Sequence, residues 1–392
     1  MFANVHAALR RVHAELAQIL DAEQINRVCR EVGHRFRQRL LDPVTTIHLF
    51  VLQILHGNCA IARLKDFTDR VFSEAAYCKA RMRLPLAVLR GLLQGVGQAF
   101  QPALDDHGRW RGHRTFHLDG SSFSMPDTPQ LQKAFGQPGA QRAGCGFPVA
   151  HILTLFHAGT GFLIEVLASP LRTHDLSQAS RLHADLRDGD ILVGDRAFGS
   201  FAHFALLAAR AVHGLFRAHQ RQLISFVDKR PHNEPGKCRV KGLPTSRWLK
   251  RLGVKDQLVQ YVKPKERPDW LDATAWAALP DTLQIRELEY RVRRRGCRSR
   301  TITLTTTLLD PTLYPAEALA ELYGQRWQIE TNLRHLKQTM KMDVLHCETE
   351  AGVLKELTTF ALVYNLVRAV MHAAAVRQQV PVDQLSFADA FG

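Results

Sequence analysis

The segment from Leu322 to Lys341 constrains the fold more than any other part of the sequence, because it combines an apolar stripe with a charged face. Pro315 stands just before it, which favours a helix start, and neither Pro nor paired glycines interrupt its periodic part. Its apolar side chains recur at helical spacing, at Leu322, Ile329, Leu333, Leu336 and Met340. The pattern predicts a single helix that packs through this stripe.

A second set of side chains occupies the neighbouring face of the same predicted helix. Tyr323, Arg326, Glu330 and Lys337 are separated by three, four and seven residues and fall within an arc of roughly 60°. A carboxylate between two cations is more often a surface ion-pair ladder when it is considered alone. Two aspartates at predicted strand ends upstream and a strongly basic composition favour a functional interpretation.

The spacing Tyr-x2-Arg-x3-Glu-x6-Lys resembles the Tyr-Arg-Glu-Lys signature of bacterial cut-and-paste transposases of the insertion-sequence-four family, which have an Asp-Asp-Glu metal site. We call Leu322–Lys341 the signature segment for this reason. The resemblance covers nearly the whole chain and is most specific from Phe116 to Asn365. It extends to the neighbouring residues of three short motifs, Arg326-Trp327-x-Ile329-Glu330, Asp119-Gly120 and Gly194-Asp195-Arg196-Ala197-Phe198.

The resemblance implies an α/β fold, with a ribonuclease-H-like catalytic core interrupted by a β-rich insertion and preceded by an all-α N-terminal domain. The expected boundaries are 1–110 for a helical DNA-binding domain, 111–220 for the first part of the core, 221–308 for the insertion and 309–392 for the second part of the core. The implied activity is metal-dependent cleavage of transposon ends followed by strand transfer. Asp119, Asp195 and Glu330 are the implied catalytic and metal-binding residues.

The order of predicted elements agrees with such a core. A short strand, Arg114–Leu118, ends at Asp119, a hairpin and a helix follow, and the buried strand Asp190–Gly194 leads directly into Asp195. Since the first and fourth strands of a ribonuclease-H-like sheet are adjacent and parallel, we expect Asp119 and Asp195 to meet at one edge.

Three carboxylates form a hard, oxygen-only donor set that suits Mg²⁺ or Mn²⁺, and the expected site holds two ions. Arg326 and Lys337 are expected to stabilise the charge that develops at phosphorus, and Tyr323 to donate a hydrogen bond to a phosphate. His117 is expected to be a core or supporting residue on the face of Asp119.

Each of these residues also has an ordinary structural explanation. Asp119 alone could be a turn residue before Gly120, Asp195 could pair with Arg196, and Glu330 could pair along its helix. Tyr323 could instead be the nucleophile of a recombinase that forms a covalent adduct with DNA.

A formal net charge of +15 and a pI near 9.8 predict a polyanionic partner, most simply duplex DNA. The segment Ala22–Leu40 is predicted to form a helix with a basic stripe, and a solvated helix face is the alternative. In the family that it resembles, the N-terminal region binds transposon-end DNA. The stripe residues are Arg27, Arg30, His34 and Arg37.

The expected insertion contains three predicted strands, Gln257–Val262, Gln284–Val292 and Thr301–Leu308, with no long helix. Six arginines lie in the ten residues 291–300, and we expect Arg293 and Arg295 among them to contact the DNA backbone. The tryptophans of this part, Trp248, Trp270 and Trp276, are candidates for stacking on a flipped base, although core or edge packing is the more common explanation for any one of them.

Seven scattered cysteines without a CxxC pair predict a reducing, cytoplasmic environment, with association with the nucleoid. The apolar tract Leu357–Val370 contains Asn365 and Arg368 and is predicted to be a buried helix rather than a membrane span. The expected partners are the terminal inverted repeats, target DNA and a second copy of the chain in a synaptic homodimer. A transposase-derived protein that binds DNA without cleaving it is the alternative.

Overall fold

The computed structural model describes residues 20–139, 146–173, 175–234, 238, 240–292 and 300–391. Within these ranges a mixed sheet of nine strands runs through the protein in the order β3-β2-β1-β4-β5-β9-β8-β7-β6. The strands are β1 Thr115–Ser124, β2 Val149–His157, β3 Leu163–Pro170, β4 Ile191–Gly194, β5 His213–Arg217, β6 Arg247–Gly253, β7 Asp256–Val262, β8 Thr282–Val292 and β9 Arg300–Thr306. The mixed α/β class predicted from the sequence is confirmed.

The helices lie before, between and after these strands. They are α1 Ala22–Glu31, α2 Pro43–Leu55, α3 Ile61–Leu64, α4 Glu74–Arg83, α5 Leu86–Ala99, α6 Gln101–Asp106, α7 Pro129–Phe135, α8 Asp175–Leu182, α9 Phe201–Ala208, α10 Ala273–Ala278, α11 Ala316–Gly324, α12 Trp327–Arg334, α13 Glu350–Gln378 and α14 Phe387–Phe391.

The two halves of the sheet differ in strand direction. β1, β4 and β5 are mutually parallel, whereas on one side β2 pairs antiparallel with β1 and β3 pairs antiparallel with β2. On the other side β9 pairs antiparallel with β5, so the meander β6–β9 continues the same sheet. β6 was not predicted, because its sequence Arg247–Gly253 mixes charged and apolar residues without strict alternation and lies at an edge of the sheet.

β1 is longer than predicted. The expected strand ended before Asp119, but β1 continues to Ser124 because β2 pairs with it along its whole length, from Phe116 opposite His157 to Ser124 opposite Val149. Asp119 therefore lies inside a strand, opposite Thr154, rather than in a turn. Gly120 is needed at the next position, since a Cβ there would lie 2.8 Å from the His151 ring.

The central helix α13 is buried around its whole circumference over most of its length. It packs against α5 and α2 on one side and against β3 on the other, and one hydrophobic cluster contains residues from Leu20 to Phe387. Asn365 joins α13 to the sheet, since its side chain accepts a hydrogen bond from the Leu163 amide (2.9 Å) and donates one to the Leu163 carbonyl (2.8 Å).

Among the described residues α13 is also the one helix long and apolar enough to cross a membrane, and 83% of its apolar window is buried inside the protein. The predicted buried helix is therefore confirmed. The cysteines that the structure describes are free, namely Cys29, Cys59, Cys78, Cys238 and Cys347.

The signature segment is not one uninterrupted helix, and that prediction is wrong. α11 ends at Gly324 and α12 begins at Trp327, with a tight turn between them in which the Arg326 amide donates to the Tyr323 carbonyl three residues back (3.1 Å). Farther along, His335–Thr339 forms a wider π-helical turn. The apolar stripe nevertheless is buried as predicted.

The predicted helix Ala22–Leu40 is also too long. α1 ends at Glu31, because Gly33 adopts a positive φ of 69° that terminates the helix. His34 and Arg37 therefore lie in an irregular segment after the helix, and the predicted four-residue stripe does not form on one helical face.

Candidate functional site

Asp119 and Asp195 lie at the same level of two neighbouring parallel strands. The pairing of β1 with β4 places Leu118 opposite Gly194, and each aspartate is the next residue along its own strand direction. Asp195 follows the buried strand β4 in an extended conformation and precedes the short turn Arg196–Phe198. The predicted parallel adjacency of these strands is confirmed.

Arg326 links the helical side of the site to the sheet. One guanidinium nitrogen, Nη1, donates to Asp119 Oδ2 at 3.2 Å, and the other, Nη2, donates to Glu330 Oε1 at 3.3 Å. The second contact spans one helical turn, whereas the first crosses from α12 to β1. Glu330 is consequently held near Asp119 through a shared arginine, and its side chain remains 65% exposed.

The electrostatics of the site are those of several acids around one cation. Burial raises the pKa of the Asp119 carboxyl, Arg326 and the Gly120 amide lower it, and the nearby charges of Asp195 and Glu330 raise it further. Burial lowers the pKa of Arg326, but Tyr323 and the three carboxylates raise it, and the net effect is upward. The three carboxylates therefore outnumber the one guanidinium that lies among them.

Tyr323 lies against the same arginine at the end of α11. Its ring is 6.0 Å from the Arg326 guanidinium carbon, and only 8% of the residue is exposed. Burial raises the pKa of the phenol, Arg326 lowers it and Asp195 raises it. A phenol with a raised pKa stays protonated at neutral pH.

Arg217 is a residue of the site that the sequence did not reveal. The parallel pairing of β4 with β5 places Gly194 opposite Phe216, so Arg217 lies level with Asp195, and its charge lowers the pKa of Tyr323. An arginine at the carboxyl end of a buried parallel strand is the signal that would have pointed to it, since such strand ends collect at one edge of a sheet.

Lys337 lies in the π-helical turn His335–Thr339, where the backbone is wider than an α-helix. The simple helical arc predicted for Lys337 therefore does not apply to it. Its side chain is half-buried and makes no ion pair within the described ranges.

His117 lies two residues before Asp119 on the same strand face and is fully buried. Burial, with the nearby charge of Arg326, lowers its pKa to about 3, and neither ring nitrogen has a hydrogen-bond partner among the described residues. A neutral core histidine beneath the carboxylates agrees with its predicted supporting position.

The predicted DNA contacts outside the site are spread over several elements. Arg27 forms an ion pair with Glu31 (3.9 Å) on α1, and Arg30 is exposed on the same helix. Arg37 instead lines a cavity of about 400 Å³ with three further arginines, Arg35, Arg39 and Arg83. Arg293 and Arg295 lie outside the described residues.

The three tryptophans of the β6–β9 region have different surroundings. Trp270 and Trp276 pack against a hydrophobic cluster that includes Phe201 and Leu279. Trp248 lies on the edge strand β6, and its buried indole nitrogen has no hydrogen-bond partner among the described residues.

In the described part of the chain no three His, Cys, Asp or Glu side chains lie close enough together to hold a metal ion. The structure thus brings Asp119, Glu330 and Arg326 into contact and Asp195 to the same sheet edge, without closing the carboxylates around a common centre.

Comparison with known proteins identifies the family. A family model described as the transposase DDE domain matches residues 110–366. The chain is similar to the transposase InsG for insertion sequence element IS4 of Escherichia coli strain K12, at 25% identity over 98% of this chain and 83% of that protein. It is also similar to InsZ of the same strain, at 26% identity over 47% of this chain and 64% of that protein. A match over more than half of its length shows that the chain belongs to the family of transposases with a DDE domain.

Proposed function

We propose that this transposase cleaves DNA at transposon ends and transfers the released strand to a target, with Asp119, Asp195 and Glu330 as its catalytic carboxylates. The observation that carries the proposal is the parallel register of β1 and β4, which puts Asp119 and Asp195 side by side, together with the Arg326 contact that brings Glu330 to Asp119. The order β3-β2-β1-β4-β5 supports a ribonuclease-H-like core for this half of the sheet.

The division of the chain at residues 110, 220 and 308 remains part of this proposal. The helices α1–α6 supply the helical DNA-binding part, and the meander β6–β9 supplies the insertion. Both are joined to the core, the first through the hydrophobic cluster around α13 and the second through the pairing of β9 with β5.

The donor set fits divalent cations, since Asp119, Asp195 and Glu330 offer only oxygen atoms and leave an excess of negative charge. Glu330 is largely exposed and can rotate towards Asp119 without leaving a packed core. We propose Mg²⁺, with Mn²⁺ as a substitute and two ions per site. Such ions, when bound, would activate the attacking hydroxyl and stabilise the leaving oxygen.

The chain's own cations and phenol position the scissile phosphate. Arg326 and Lys337 bind phosphate oxygens on the helical side, and Arg217 binds on the sheet side beside Asp195. Tyr323 donates a hydrogen bond from its phenol, which burial keeps protonated. These groups lower the energy of the transition state because its negative charge exceeds that of the bound DNA.

A second DNA contact lies on the N-terminal helices. Arg35, Arg37, Arg39 and Arg83 surround one cavity and form no ion pair within the described ranges, which favours a phosphate-rich partner. Arg27 and Arg30 on α1 are proposed as further DNA contacts, and Arg293 and Arg295 are proposed to contact the DNA backbone from the β8–β9 connection.

The assembly follows from the reaction. Two transposon ends have to be held together, so we propose a homodimer that acts on the nucleoid in the cytoplasm, with no membrane partner.

The decisive experiment uses the purified full-length chain, Mg²⁺ and a DNA fragment carrying the inverted repeats that flank its coding frame. Nicking and strand transfer are expected for the wild type and for Glu321→Gln, which changes an exposed acid on α11. Both reactions should be lost in Glu330→Gln and Asp119→Asn. A protein that shifts the fragment in a gel but never nicks it would show a binding function only, and a covalent adduct that disappears in Tyr323→Phe would show the recombinase chemistry.

A further inference from the structure

We propose that Arg326 competes with the divalent cation for Asp119 and Glu330 in the DNA-free protein, and that a DNA phosphate opens the site by binding Arg326. This inference rests on the proposed function, because it assumes that these carboxylates are cation ligands. It assigns Arg326 a role in deciding when the cation binds, in addition to its contact with DNA.

The hydrogen bonds of the site support competition rather than coexistence. Arg326 uses different nitrogens for the two acids, Nη1 for Asp119 Oδ2 and Nη2 for Glu330 Oε1. The remaining oxygen of Asp119, Oδ1, accepts the Gly120 amide at 2.9 Å. Both Asp119 oxygens are therefore engaged, and a cation that approaches Oδ2 meets the Arg326 guanidinium, whose positive charge repels it.

The charges around Arg326 explain how a divalent cation can still bind to these carboxylates. The Arg326 guanidinium contacts two carboxylates, those of Asp119 and Glu330, and the charge of Asp195 lies nearby. The negative charge that remains still attracts a divalent cation. Arg326 therefore weakens cation binding without abolishing it.

DNA changes this balance because it offers Arg326 another anion. A guanidinium can donate two parallel hydrogen bonds to two oxygens of one phosphate. In the DNA-free protein Arg326 instead donates a single hydrogen bond to each of two carboxylates, those of Asp119 and Glu330. When Arg326 turns to the backbone, the two carboxylate oxygens are released together. Cation and DNA then bind with positive coupling, and the coupling is reciprocal.

The test measures Mn²⁺ affinity of the full-length protein by the electron paramagnetic resonance signal of free Mn²⁺. Arg326→Lys keeps the positive charge but removes the planar guanidinium that bonds Asp119 and Glu330 at the same time. Without DNA, this variant should therefore bind Mn²⁺ about fivefold more tightly than the wild type. Duplex DNA should tighten Mn²⁺ binding to the wild type by at least a similar factor, and less in Arg326→Lys.

Arg334→Lys is the matched control. Arg334 stands four residues after Glu330, as Arg326 stands four residues before it, and makes no ion pair with Glu330 in the described structure. Its Mn²⁺ affinity should equal that of the wild type. Equal affinities of Arg326→Lys and the wild type without DNA would overturn the competition.

The variant Asp119→Asn distinguishes a failure of the proposed competition from a failure of the proposed function. If Asp119→Asn leaves Mn²⁺ binding unchanged in the wild-type and Arg326→Lys backgrounds, the carboxylates are not the cation site. If it weakens binding but the arginine variant behaves as wild type, only the competition is wrong. The DNA effect on the wild type needs no variant and would overturn the proposal by its absence, even if a substitution impaired folding.

Discussion

At each end of the β1–β4 strand pair an arginine contacts an aspartate, but the two ends differ in how the arginine distributes its hydrogen bonds. Just before β1, Arg114 makes two hydrogen bonds to Asp190, which stands just before β4, at 2.8 and 2.6 Å. Both side chains are almost fully buried, at 7% and 3% exposure. This closed end is a bidentate ion pair in which both charges are satisfied.

At the other end Arg326 divides its guanidinium between two acids at longer distances, 3.2 and 3.3 Å, while Asp195 remains nearby. At the closed end the charges are therefore paired within the fold. At the other end, which comprises Arg326, Asp119, Glu330 and Asp195 and which we call the open end, the acids are not fully paired. The comparison teaches that an arginine paired fully with one buried aspartate stabilises the fold, whereas an arginine shared between two carboxylates leaves acidic groups incompletely paired, and we propose that these form a binding site.

The largest effect is expected from a substitution at the open end. Asp195→Asn removes a proposed cation ligand, so cleavage of end DNA should fall by about 10³-fold. Because Asp195 makes no ion pair among the described residues, the free energy of unfolding should stay within about 0.5 kcal/mol of wild type. Cleavage assays and urea unfolding measure the two quantities. Residual activity above one tenth of wild type would remove Asp195 from the catalytic group.

The next largest effect is expected from a substitution at the closed end. Asp190→Asn leaves Arg114 buried with only Asp105 at 3.3 Å, so the protein should lose about 3–5 kcal/mol of stability. Cleavage per folded molecule should be unchanged. Asp188→Asn, at an exposed position two residues earlier, is the control and should leave urea unfolding unaltered. A loss below about 1 kcal/mol would mean that the closed end does not stabilise the fold.

The sequence predicted the residues of the open end but not the geometry between them. Asp119, Asp195 and Glu330 were expected there because the resemblance to a known family implied them and because predicted strands and helical spacing are local patterns. The contact of Arg326 with Asp119 joins residues 207 positions apart, and no local pattern specifies which of several carboxylates a long side chain will bind.

The errors in the elements have similar causes. Periodicity extended the first helix to Leu40, because it does not register the positive φ of Gly33. The same periodicity carried the signature segment through Gly324 and the π-helical turn, since the apolar stripe continues across both. β6 was missed because an edge strand needs no apolar alternation.

A smaller effect concerns the buried histidines at the two ends. Burial lowers the pKa of His117, near Arg326, to about 3 and that of His157, near Arg114, to about 4. Both folded-state values lie below the unfolded value near 6.5, so stability is complete above about pH 6.5 and is lost as the pH falls.

At pH 5 each of these histidines should therefore destabilise the native state by about 2 kcal/mol relative to pH 7. His117→Leu should remove its share of this loss without cost at pH 7, since neither of its ring nitrogens has a partner in the described structure. His157→Leu should remove a similar share but lose about 1 kcal/mol at pH 7, because His157 hydrogen-bonds Thr160 at 3.0 Å. Urea unfolding at both pH values measures the difference, and identical pH dependence in wild type and His117→Leu would contradict the assignment.

The smallest effect compares the two arginines by the same conservative change. Lysine cannot reproduce a two-pronged contact, so Arg114→Lys should lose about 1–2 kcal/mol at the closed end, where both prongs reach one buried carboxylate. Arg326→Lys should lose no more than about 0.5 kcal/mol, because its contacts are longer, partly exposed and opposed by the burial of its charge. Thermal and urea unfolding of both variants test this. Equal losses would mean that Arg326 is as much a part of the fold as Arg114, and a cation or phosphate would then have to displace a structural bond to enter the site.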